Sequence, residues 1–244
     1  MLVAGFPDTV FGTNCYVVAP DAGEECVIVD PGIGVADRLA EVVAEHRLRP
    51  VAVLLTHGHI DHTYSVVPVC GANGITAYIH PADRKMLADP ASGLSPQLAA
   101  ALHQLPGGLV STEPDDVADL SDGAAVRLAG LEFAVDHAPG HTRGSVMFRV
   151  PGGVRRTGAE LPERPELVEA SEVCFAGDVV FAGSVGRVDL PGGSAEQMAD
   201  SLRRRVLPLA DTVAVLPGHG PHTTIGRERH TNPYLQDPGV LAGD

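Results

Sequence analysis

The seven residues Thr56-His57-Gly58-His59-Ile60-Asp61-His62 constrain this chain more than any other feature. They follow Val51 to Leu55 (VAVLL), a continuous apolar run of the kind expected for a strand covered on both faces. Open α/β sheets place ligands beyond the carboxyl ends of their strands. Three imidazoles and a carboxylate therefore stand where chemistry is expected. They cannot all be buried without partners, because unpaired buried polar groups are costly. Neutral imidazole and carboxylate are the usual ligands of zinc and similar divalent ions. His57 and His59 can face one ion, while Asp61 and His62, one turn further on, face another.

The surrounding pattern predicts an α/β chain, in which short apolar runs alternate with helical spacing. Strands are expected at Cys26–Val29, Ile75–Ile79, Leu131–Val135, Ser145–Val150, Val173–Ala176 and Thr212–Leu216. Val35, Leu39, Val42 and Val43 recur at helical spacing, and Ser194-Ala-Glu-Gln197 reads as a capping box opening a helix towards Val206. Asp89–Asp122, with a helical patch around Gln97–Leu105, and the charged, Pro-rich Pro151–Ser171 read as loops or insertions. Neither has the composition of an interdomain linker, so a single domain over residues 1–244 is expected.

Further groups of the same chemical type follow other strands: His141 in Pro-Gly-His-Thr, Asp178 in Gly-Asp, and His219 in Pro-Gly-His-Gly. Singly, each suits a structural role. Together with the HGHIDH run they read as one site. The chain resembles the metallo-β-lactamase superfamily, and within it the glyoxalase II-like, single-domain branch. The resemblance runs from Asn14-Cys15-Tyr16 through VIVDPG, THGHIDH, PGHTRGS, GDVVF, GRVDL and PGHG to Asn232-Pro233.

That resemblance implies a four-layer αββα sandwich and two divalent metal ions, zinc first, with iron or manganese as alternatives. Carried over by position, His57, His59 and His141 bind one ion and Asp61, His62 and His219 the other, with Asp178 bridging. Asp61 and Asp178 are the catalytic carboxylates, and Asp30 supports the metal loop. The implied reaction is hydrolysis of a thioester, such as S-lactoylglutathione or an analogous small-thiol conjugate, by a metal-bound hydroxide. A mononuclear-iron persulfide dioxygenase is the alternative. Only 25 residues follow His219, too few for the helical domain with which glyoxalase II grips glutathione, and Pro221 replaces a family tyrosine. Arg187 and His222 are the expected substrate contacts.

Composition narrows the partners. Thirty-one acids against 17 bases give a net charge of −14, the wrong balance for gripping nucleic acid or an anionic membrane. No apolar run approaches the ~20 residues of a membrane span. The only basic cluster, Arg203–Arg205, suits a solvated helix end. The partner expected is a small-molecule thioester, with neither nucleic acid nor membrane. Cys15, Cys26, Cys70 and Cys174 form no C-x-x-C pair and read as buried small hydrophobes. The first residues lack a signal peptide's charged region and cleavage site, which predicts a cytoplasmic protein.

Overall fold

Strand Glu172–Gly177 turns Val173 and Phe175 to one side and Cys174 and Ala176 to the other, and all four are buried. A strand buried on both faces needs a layer above and below it. That requirement organises the whole structure, a computed structural model that describes residues 1–103 and 112–242. In chain order the first strands are β1 (Leu2–Pro7), β2 (Asn14–Ala19), β3 (Glu25–Val29), β4 (Arg49–Leu54), β5 (Thr76–Ile79), β6 (Val117–Asp119) and β7 (Ala125–Leu128). They are followed by β8 (Leu131–His137), β9 (Val146–Pro151), β10 (Arg156–Ala159), β11 (Glu172–Gly177), β12 (Val213–Pro217) and β13 (Thr223–Thr224).

Two mixed sheets result, ordered β10-β1-β2-β3-β4-β5-β6 and β13-β12-β11-β9-β8-β7. Their facing sides bury one core, with Val18, Val27, Val29 and Leu54 from the first sheet and Phe133, Phe148, Phe175 and Leu216 from the second. The outer face of the first sheet buries Ile28, Val53 and Leu55 against Leu39 and Val42 of α1 (Ala36–Glu45) and Val66, Val69 and Cys70 of α3 (Val66–Asn73). Between these helices lies the single turn α2 (Ile60–Thr63). The outer face of the second sheet packs on Met198, Leu202, Val206 and Ile225. Helix, sheet, sheet, helix is the expected αββα sandwich.

Strand and helix positions agree with the apolar runs to within a few residues. The four cysteines are free and buried, as small hydrophobes. Ser194 caps its helix by accepting from the Gln197 N–H at 3.3 Å. Past Ser201 the helix widens into a π turn, Leu202–Val206.

Two expectations need correction. Pro151–Ser171 is not a plain loop: it carries β10, which pairs in parallel with β1 and forms an edge of the first sheet. Its pairing is made by backbone, so charged and half-exposed side chains are tolerated there. Asp89–Asp122 likewise carries β6, the opposite edge, paired with β5. The helical patch is seen as Pro96–His103, and Gln104 and Leu105 lie outside the described residues. No helix among the described residues is long and apolar enough to cross a membrane.

Strands β4, β8, β11 and β12 deliver their following loops to one edge of the sandwich. There the two sheets are tied by Val146 N–H donating to the Thr56 carbonyl at 2.8 Å and Asn14 N–H donating to Gly218 at 2.7 Å.

Candidate metal centre

The loop after β4 holds His57, His59, Asp61 and His62; the loops after β8, β11 and β12 hold His141, Asp178 and His219. Seven side chains predicted from spacing thus meet at one sheet edge. Three sets, His57/His59/His141, His57/His62/Asp178 and Asp61/His62/His219, each have ligand atoms within 4.8 Å of one another. The Asp178 carboxylate lies 3.4 Å from His62 through Oδ1, and 3.4 and 3.5 Å from His141 and His219 through Oδ2. Gly218 makes this approach feasible, since a Cβ there would collide with Asp178 Oδ1 and lie 2.7 Å from the His62 ring.

Hydrogen bonds set the imidazole tautomers. His62 Nδ1 donates to Asp30 Oδ2 at 2.9 Å, and His141 Nδ1 donates to the Arg187 carbonyl at 2.7 Å. Thr56 Oγ1 donates to Asp30 Oδ2 at 2.6 Å, so at 3.1 Å it accepts from His57 Nδ1. Each of these rings therefore turns Nε2, and not Nδ1, to the cluster. His59 Nδ1 and His141 Nε2 are 2.8 Å apart, room for one shared proton at most. His57 Nε2, His62 Nε2 and Asp178 Oδ1 are buried with no hydrogen-bond partner at the cluster, and His59 Nε2 is unpartnered on the far side of its ring, near Gly93. A buried acceptor with no donor is destabilising, and several converging on one place call for a cation. The residues present fit a pair of divalent ions.

The electrostatics agree. Burial, then the neighbouring His62 and His141, holds His57 well below the usual imidazole range. Burial and His141 push His59 down to about 3. Burial also opposes charge on His62, but Asp61, Asp178 and Asp30 together outweigh it and raise that ring well above its ordinary value. Burial would raise the Asp61 and Asp178 carboxyls, yet His62 and its neighbours hold both below the ordinary range. Carboxylates that stay ionised beside the neutral His57 and His59 rings make a cation-seeking cluster, and the raised His62 is a ring whose proton a bound cation would replace. Its open side is at Asp61 and His219, whose side chains are 21% and 29% exposed, whereas His57, His59 and His62 are buried. Thr13 Oγ1 donates to Asp61 at 2.9 Å and steadies that side.

Asp30 is placed as expected, accepting from Thr56 N–H at 2.8 Å as well as from Thr56 Oγ1 and His62. Arg187, expected as a substrate contact, is paired on the surface. Its guanidinium makes two 2.7 Å bonds to Asp189 and is 61% exposed, while its main-chain carbonyl orients His141. His222 lies outside the cluster, 3.6 Å from Glu166, on a cavity of about 420 Å³ lined also by Asn14, Tyr16, Leu161, Arg164 and Pro221. Thr13, Thr56 and the Arg187 carbonyl were not legible as site groups, since threonines and carbonyls carry no spacing signature.

The Metallo-beta-lactamase superfamily profile matches residues 8–154. The hydroxyacylglutathione hydrolase GloC of Haemophilus influenzae is 32% identical over 230 residues, spanning 94% of this chain and 95% of that protein. Among solved structures, the BLEG-1 B3 metallo-beta-lactamase has a TM-score of 0.75 at 35% identity, covering 96% of this chain and 99% of that one. TTHA1623, crystallised in a di-iron-bound form, has a TM-score of 0.72 at 35% identity, covering 95% and 99%.

Proposed function

The chain belongs to the metallo-β-lactamase superfamily, a group of metal-dependent hydrolases, and on that premise we propose that it hydrolyses small thioesters at a binuclear metal site. The substrate class is S-lactoylglutathione or the analogous conjugate of another small thiol. The observation that carries this reading is the set of three buried polar atoms without hydrogen-bond partners, His57 Nε2, His62 Nε2 and Asp178 Oδ1, at the meeting point of seven His and Asp side chains. His57, His59 and His141 would hold one ion, Asp61, His62 and His219 the other, and Asp178 both. When bound, such ions supply an activated water at neutral pH and polarise a carbonyl oxygen.

The chain's own residues do the rest. Asp30, Thr56 and the Arg187 carbonyl keep the imidazoles in the tautomer that offers Nε2. Asp61 and His219 form the accessible edge at which a thioester carbonyl would arrive. No cysteine competes as nucleophile: all four are buried, and burial pushes the Cys26 and Cys70 thiols up to about 12. A thiolate is a good leaving group and departs without a dedicated acid, which suits such a site to a thioester better than to an amide. A relative named hydroxyacylglutathione hydrolase over nearly the whole length supports the same choice.

The cavity beside Gly220 and His222 is the recess we assign to the thiol carrier, with Arg187, paired to Asp189 on the surface, as a further candidate contact. Recognition there is shallow, so preference for glutathione over other carriers is weak and KM is high. The test is a panel of lactoyl thioesters on zinc- and manganese-loaded protein, with free thiol and dissolved oxygen followed together. Thiol release without oxygen uptake is expected. Oxygen uptake on glutathione persulfide with iron, thioesters being inert, would assign a dioxygenase; turnover of a chromogenic β-lactam alone would assign a lactamase.

A further inference from the structure

A second buried carboxylate near the cluster has no ligand role. Asp83, in the turn after β5, is 1% exposed. Its Oδ2 accepts from Gly58 N–H at 3.1 Å and from Thr142 Oγ1 at 2.5 Å, and its Oδ1 accepts from Gly144 N–H at 2.8 Å. Gly58 lies between His57 and His59, and Thr142 directly follows His141. One side chain thus ties the loop of the first sheet that carries His57 and His59 to the loop of the second sheet that carries His141. Among the described residues it makes no hydrogen bond to the side chains of Asp61, His62 or His219.

Asp30 does the complementary job, holding Thr56 and His62. Away from this edge the two sheets meet through apolar side chains, which set a separation but not an angular register between loops. A carboxylate is the side chain suited to Asp83's place. It offers acceptors only, and three donors converge on it, whereas an amide would turn an NH2 towards an N–H. The fit is close: a Cβ added at Gly144 would sit 2.6 Å from the Asp83 carboxyl carbon, so a side chain there must displace that carboxylate.

We propose that Asp83 is a positioning residue that fixes His141 relative to His57 and His59, and so sets the affinity of that one metal position and not of the other. The inference rests on the binuclear reading above. Groups that orient metal ligands change affinity by about 10–100-fold when removed.

The test strips metal from wild type, Asp83→Asn and Gly144→Ala, then titrates each with zinc against a chelating dye and with cobalt by visible absorption. Thermal unfolding is recorded in parallel. Wild type is expected to take up two equivalents. Asp83→Asn should weaken one of them at least 10-fold and leave the other within about twofold, a split that general destabilisation does not produce. Gly144→Ala, which crowds the same carboxylate from the opposite side, should show the same split and covers the case in which Asp83→Asn does not fold. Two wild-type affinities in a folded variant, or equal weakening of both, would overturn the proposal. Failure of wild type itself to bind two equivalents would instead strike the binuclear reading, and this inference with it.

Discussion

Asp178→Ala is expected to lower thioester turnover by about 10³-fold or more, equivalent to roughly 4 kcal/mol of lost transition-state stabilisation. It should also cut bound metal below one equivalent. No other side chain in the cluster has the same reach: its Oδ1 faces His62, and its Oδ2 faces both His141 and His219 at 3.4–3.5 Å. On the proposed reading, removing it would take a charged ligand from both metal positions and leave the imidazoles with one carboxylate fewer to offset a dication. The contrast variant is His219→Ala, on the more exposed rim, which should weaken one position and spare part of the metal. Metal analysis and steady-state kinetics on both variants check the order. Wild-type metal content in Asp178→Ala would remove that residue from the bridging position.

The second large effect concerns stability. Asp30→Ala should lower the melting temperature by roughly 6–12 °C, the equivalent of about 3 kcal/mol for a chain of this size. Two causes add. Thr56 N–H, Thr56 Oγ1 and His62 Nδ1 all lose their buried acceptor, and each unsatisfied group costs about 1–3 kcal/mol, less whatever relaxation recovers. The backbone also matters, because Asp30 has φ of 50°, a left-handed conformation that Asp and Asn tolerate better than Ala. Asp30→Asn should therefore lose less than Asp30→Ala. Differential scanning fluorimetry reads both, and a shift under about 2 °C for Ala would contradict this account of the Asp30 network.

The seven clustered side chains were legible because His57, His59, Asp61 and His62 fall in one short run and His141, Asp178 and His219 each follow a strand. The layered fold was legible because VAVLL and VCFA are apolar on both faces, which only a covered sheet allows. What escaped has a physical reason in each case. β10 pairs through its backbone on an edge, so Arg156–Ala159 carries no alternation to read. Asp83 sits in a Pro-Ala-Asp-Arg-Lys turn that looks solvated, and only the folded loops bring Gly58, Thr142 and Gly144 to it. Arg187 was visible as a cation, but its contribution to His141 is a carbonyl, which every residue has.

The most direct measurement of the central claim is a metal titration of stripped wild-type protein with thioester turnover read at each addition. Full activity is predicted only as the second equivalent of zinc or manganese binds, with a chelator reversing binding and activity together. Full thioester turnover in protein holding no metal, or after a single equivalent with no second site detectable, would contradict the account.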